Sequence, residues 1–168
     1  VSDFYTNIWW PDMISLSDKY GIKYTGVIIE NYEDDTTGST ERQSDSSRFI
    51  YFGNKLLQMG GEIGYHGYNH QPLMLSDTDY GGAFSYNTWT SDTAIEKSLD
   101  ELMDFTENLF PRSERSVYVP PSNILSAEGR ALLAKDYPNI KVIASSYFSE
   151  DFVYEQEFEV ADDGIVEE

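Results

Sequence analysis

His66 and His70 are the only histidines in this 168-residue chain, and they lie four residues apart. They close the stretch Gly60-Gly61-Glu62-Ile63-Gly64-Tyr65-His66-Gly67-Tyr68-Asn69-His70. Neutral imidazole is the commonest protein metal ligand. Residues i and i+4 share a face of a helical turn, so this spacing lets both rings turn toward one divalent cation. Such a cation lowers the pKa of a bound water, and a hydrolase is the chemistry to expect. The chain has no cysteine, which excludes disulfides, thiolate metal sites and cysteine catalysis.

The elements around the pair alternate. Pro11 to Tyr20 reads as a helix, with Pro11 in the first turn and Gly21 as its stop. Lys23 to Ile29 is a strand with a β-branched run at Val27, Ile28 and Ile29. A polar loop over 31–47 follows, and then a helix from Arg48 to Met59 ending at Gly60-Gly61. Glu62 to Tyr65 is the strand that delivers His66. The segment 71–91 is irregular and rich in aromatics, among them Tyr80, Phe84, Tyr86 and Trp89. Thr93 to Leu109 is the strongest helical pattern, with Thr93 and Glu96 as an expected capping box. Ser116 to Val119 is a short strand, Ser126 caps a helix to Lys135, and Ile140 to Ala144 is a strand. From Glu150 onward there are only acidic charges, read as an acidic edge or the entry to a further segment. Alternating strands and helices imply an α/β fold with a parallel sheet. The loops after Ile29, Tyr65, Val119 and Ala144 then share the functional rim.

A length of 168 residues suits a single domain over 1–168. The chain opens on Val1, which reads as a piece of a longer protein. Eleven Lys and Arg against thirty Asp and Glu give a formal charge of −19. Nucleic acid is thereby excluded as a partner, since phosphate binding needs clustered cations. No run approaches the ~20 apolar residues of a membrane span. An aromatic content of 15% is compatible with a sugar-facing cleft. These features assign no oligomeric state.

The motif closely resembles the zinc-binding motif of the polysaccharide deacetylase superfamily (NodB-homology, carbohydrate esterase family 4), which reads roughly E-I-G-x-H-[ST]-x-x-H. Lys19-Tyr20-Gly21-Ile22-Lys23-Tyr24-Thr25-Gly26-Val27 is similar to that family's K-Y-[GN]-[VI]-K-A-T-F-F. Counting back from it places Ser2-Asp3 at the family's Asp pair, and Tyr118-Val119-Pro120-Pro121-Ser122-Asn123 falls on its F-R-P-P-Y-G. The resemblance spans about Ser2 to Ala144. It implies a partial or distorted (β/α) barrel of the glycoside hydrolase/deacetylase type. It also implies a divalent metal, zinc foremost, held by Asp3, His66 and His70. A glycan substrate would lie along Tyr65, Tyr68, Pro120 and Ser122, and acetyl groups would be removed by metal-assisted hydrolysis. Export to the cell surface or the extracellular space follows from the same resemblance.

The departures are as specific as the match. Ser2 stands where the family has its catalytic-base Asp, Val119 where it has Arg, and Ser122 where it has Tyr. No histidine follows His70 to act as the family's late acid. Asp3, Glu30 and Asp34, with Asp35 beside it, are the carboxylates on the expected rim that could take a proton. Two functions follow: a metal-dependent glycan deacetylase, or a catalytically degenerate relative that binds carbohydrate or a protein.

Overall fold

The computed structural model describes residues 5–30, 46–75, 86–111, 113–145 and 157–167. A π-helical turn, Tyr5–Trp9, leads into α1 (Trp10–Tyr20). Gly21 ends α1 in the left-handed region at φ 68°, its N–H bonded to Ser17 O at 2.8 Å. There follow β1 (Thr25–Ile28), α2 (Ser46–Gln58), β2 (Glu62–Tyr65), α3 (Asp92–Leu109), β3 (Val117–Tyr118), α4 (Ala127–Asp136), β4 (Val142–Ile143), β5 (Glu159–Val160) and β6 (Val166–Glu167). The strands form one sheet in the order β1-β2-β3-β4-β6-β5. All neighbours are parallel except β5 and β6. Because β1 to β4 run in chain order with helices between them, their C-terminal ends share one rim, as the alternation requires. This is the expected distorted, partial (β/α) barrel.

The main core lies where the sheet meets its helices. Ile28, Ile63, Tyr65, Tyr118 and Ile143 join Leu56 of α2, Ile95, Leu99 and Leu102 of α3, and Leu132 and Leu133 of α4. The register also places the alternate residues in a row across the strands. Val27 is level with Gly64, Val117 with Val142, Val142 with Val166, and Val166 with Val160. Valine suits such positions because its branched side chain packs against pleated neighbours.

Two expectations shift. The cap of α3 is Ser91, whose Oγ accepts the Ala94 N–H at 3.2 Å, so the helix begins ahead of the Thr93-Glu96 box. Ser91 is fully extended at φ −170° and ψ 163°, the geometry a cap needs. The acidic tail, over 157–167, is an antiparallel hairpin that extends the sheet. Its turn ends at Asp163-Gly164, with Gly164 at φ +83°. Arg130 of α4 holds it, reaching Asp163 at 2.6 and 3.1 Å and Glu167 at 2.7 Å. These hydrogen bonds, that to Asp163 first, keep the guanidinium protonated and hold the Asp163 carboxyl below its ordinary value.

Ser126 joins α4 to the rim. Its Oγ accepts the Gly129 N–H at 3.0 Å and donates to Leu73 O at 2.8 Å, and it is buried. Ser126→Ala therefore loses a cap and leaves a buried carbonyl short of a donor. We expect a loss of about 2 kcal/mol in urea unfolding, with Ser126→Thr retaining most of it.

Candidate functional site

His66 leaves β2 at the rim. Its N–H bonds Ile28 O of β1 at 2.9 Å, and its Nδ1 lies 2.7 Å from Val119 O beyond β3. A carbonyl only accepts, so the Nδ1 carries the proton and Nε2 presents a lone pair. Burial pushes the His66 pKa below 6.5, opposed by the bond to Val119. The ring is thus neutral and oriented, the state in which imidazole binds a metal.

The helical face expected for His66 and His70 is absent. Gly67 (φ 76°, ψ 152°) takes a conformation open essentially to glycine alone, and it breaks any helix there. The chain then makes a 3₁₀ turn over Tyr68–His70, with Asn69 at φ 50° and His70 at φ 55°. The two imidazoles still meet, edge to face, with centroids 4.9 Å apart and planes at 69°. A loop brings the rings together. The loop after β3 repeats the device, since Ser122 and Asn123 have φ 51° and 58°. Among the described residues these four are the non-glycine positions with positive φ. Left-handed backbone at such residues costs about 1–2 kcal/mol each, and such strain gathers where function constrains a chain.

The other expected residues take varied places. Glu30 accepts the Asn69 N–H on both carboxylate oxygens, at 2.9 and 3.1 Å, and so ties the end of β1 to the turn that carries His70. Ser122 Oγ lies 2.7 Å from the Tyr86 hydroxyl, which also sits 3.2 Å from His70 Nδ1. Tyr68 is half-buried against the core, and burial together with a bond to Glu101 raises its pKa. Tyr65, expected along the substrate, is instead 2% exposed, with its hydroxyl bonded to Arg115. Pro120 is likewise enclosed. These two shape the rim from below. Asp3, Ser2, Asp34 and Asp35 lie outside the described residues. Among the described residues no cluster of three metal-ligating side chains forms. The donor set there is two imidazoles, each with its Nδ1 engaged, and it fits a metal that takes further ligands from elsewhere. Sequence reasoning missed Tyr86 as a site residue; its one signal was an aromatic among several in an irregular segment.

The sheet order, the helices and the placement of this rim define a distorted, partial (β/α) barrel. A crystal structure of a BA3943 mutant, described as a CE4 family pseudoenzyme, is similar to it at a TM-score of 0.55 and 15% identity. The match covers 82% of this chain and 40% of that one, so the chain spans well under half the length of that neighbour. At this identity the likeness is one of fold. By sequence the chain belongs, over residues 1–168, to the family described as "uncharacterised protein conserved in bacteria (DUF2194)". No curated protein matches it.

Two outcomes follow from the geometry. A Cβ on Gly67 would lie 2.5 Å from Pro121 Cγ at a backbone conformation that L side chains avoid, so Gly67→Ala should cost at least about 2 kcal/mol in urea unfolding. His66 is depressed from 6.5 in the fold, so the unfolded chain takes up its proton first on acidification. Its contribution to stability is fully present above pH 6.5 and is lost as pH falls toward the folded value. With chelator present, unfolding free energy should fall less over this window in His66→Gln than in the wild type.

Proposed function

We propose that this domain binds a divalent metal, zinc foremost, at His66 and His70 and removes acetyl groups from a glycan. The observation that supports this most is the meeting of the chain's only two imidazoles at the strand C-termini, 4.9 Å apart, with each Nδ1 engaged. Asp3 is the third ligand that the family resemblance supplies. A bound metal would lower the pKa of water and polarise an acetyl carbonyl. The chain's own residues do the rest. Val119 O orients His66, and Glu30 steadies the turn beneath His70. Tyr68 and Ser122 flank the rim where sugar would lie, and Asp34 is the proton acceptor to test. A glycan substrate places the protein at the cell surface or outside the cell.

A second reading, glycan binding without catalysis, is favoured by a specific observation. The Glu30 carboxylate is committed to the Asn69 N–H, and Ser2, Val119 and Ser122 replace the family's base, Arg and Tyr. The structural neighbour is itself described as a pseudoenzyme.

Elemental analysis of protein purified without chelator tests the first step. About one zinc per chain is expected, lost in His66→Ala/His70→Ala and displaced at low pH as the imidazoles take up protons. Acetate release from N-acetylglucosamine oligomers, abolished in Asp34→Asn, would support the deacetylase. Metal binding with oligomer binding but no acetate release would favour the second reading. A chain that takes up no zinc on titration overturns both the metal and the hydrolase.

A further inference from the structure

Tyr86 lies sixteen residues beyond His70 in sequence, yet its hydroxyl sits between the two rim loops, 3.2 Å from His70 Nδ1 and 2.7 Å from Ser122 Oγ. Its ring centroid is 6.0 Å from that of His70 at 55°, so the polar end of the side chain makes the hydrogen-bond contact. The segment that carries it is stitched to the chain just after His70. Gln71 Nε2 donates to Asn87 O at 3.1 Å, the Trp89 N–H to Met74 O at 2.9 Å, and Trp89 Nε1 to Pro72 O at 3.0 Å. Three bonds to 71–74 thus hold the tyrosine in register with the histidine. On its other side Ser122 is held at φ 51°, with the Asn123 N–H bonded to Pro120 O and the Ile124 N–H to Pro121 O. Local strain is maintained where the Ser122 hydroxyl meets Tyr86.

We propose that Tyr86 is a positioning residue that sets the tautomer of His70. The Nδ1–H of His70 donates to the Tyr86 oxygen, and the Tyr86 O–H donates to Ser122 Oγ. The lone pair of His70 is then fixed on Nε2. This places His70 in the same state as His66, whose Nδ1–H is fixed by the Val119 carbonyl. A carbonyl dictates its direction alone, whereas the Tyr86 and Ser122 hydroxyls can each donate or accept, so the relay has two senses. The reverse relay, Ser122 to Tyr86 to His70, would put the proton on Nε2 and close that nitrogen to a metal. The role of the lone pair rests on the metal reading above, but the tautomer does not.

The test uses the full chain labelled with 15N-histidine. In chelator, well above neutral pH, the His70 nitrogens should show the Nδ1–H tautomer. In Tyr86→Phe they should shift toward Nε2–H, with His66 unchanged. Zinc affinity, measured by competition against a chromogenic chelator, should fall about 10–100-fold in Tyr86→Phe and in the same direction in Ser122→Ala. The thermal midpoint of the metal-free protein serves as the control for folding. A wild-type His70 already in the Nε2–H form overturns the proposal, as does a Tyr86→Phe variant with unaltered tautomer and zinc affinity. The expected tautomer and its shift, in a chain that takes up no zinc, uphold the relay and overturn the metal reading instead.

Discussion

The rim depends on how closely β2 approaches its neighbours. A Cβ on Gly64 would lie 2.7 Å from Val117 O and 3.3 Å from Val27 Cγ1, so β2 fits between β1 and β3 at that level only with a bare backbone. At Gly67 the loop presses against Pro121 in the same way. These two contacts set the separation of the loops after β2 and β3. The bond from His66 to Val119 and the bridge through Tyr86 both span that separation. Widening it by one methyl would strain each polar contact of the site together, because hydrogen bonds weaken steeply outside a narrow range of distance and angle.

Only eleven Lys and Arg serve this acidic chain, and two of the arginines sit at structural junctions. Arg115 lies mostly buried between α3 and β3, bonded to Glu107, to the carbonyl of Phe110 at the end of α3, and to the Tyr65 hydroxyl. A cation there answers the unpaired carbonyls and partial negative charge of a helix C-terminus. Arg130 does comparable work for the hairpin, with two carboxylates on one guanidinium fork. The lysine pairs are exposed, as at Lys97 and Glu101, and exposed pairs contribute only ~0–1 kcal/mol.

The sequence was most legible where local rules act alone. Gly21 and Gly60-Gly61 mark helix ends, α3 carries a regular apolar period, and Ser126 caps α4. Strand β2 has the bounds that its pattern gives, Glu62–Tyr65. Legibility failed where distant contacts override local preference. Asn69, His70 and Asn123 are of types that tolerate left-handed backbone, but such residues adopt it only occasionally, and the bonds next to both pairs come from the distant bridge of Leu73 with Leu125 and from Ser126 on Leu73. Tyr86 follows no period and acquires its place from Trp89 and Gln71. The cap of α3 is Ser91, two residues ahead of the Thr93 to which the Thr93-Glu96 pattern points. The hairpin was missed although Asp163-Gly164 is a known turn signal, because the run of acidic residues reads as an edge or the entry to a further segment.

The valine row ends at the sheet's two outer strands, β1 and β5. Val27 is 37% exposed at one end and Val160 60% at the other, with Phe158 at 71% beside it. Outer strands of this kind invite other chains to add on, and flanking charge is a common protection. Here Glu157 and Glu159 supply it, within a chain of net charge −19. That protection is electrostatic and therefore conditional. Near the isoelectric point of about 4.2 the mutual repulsion vanishes while the apolar row stays as it is. The β5 edge is then left without the charge that deters pairing with another chain.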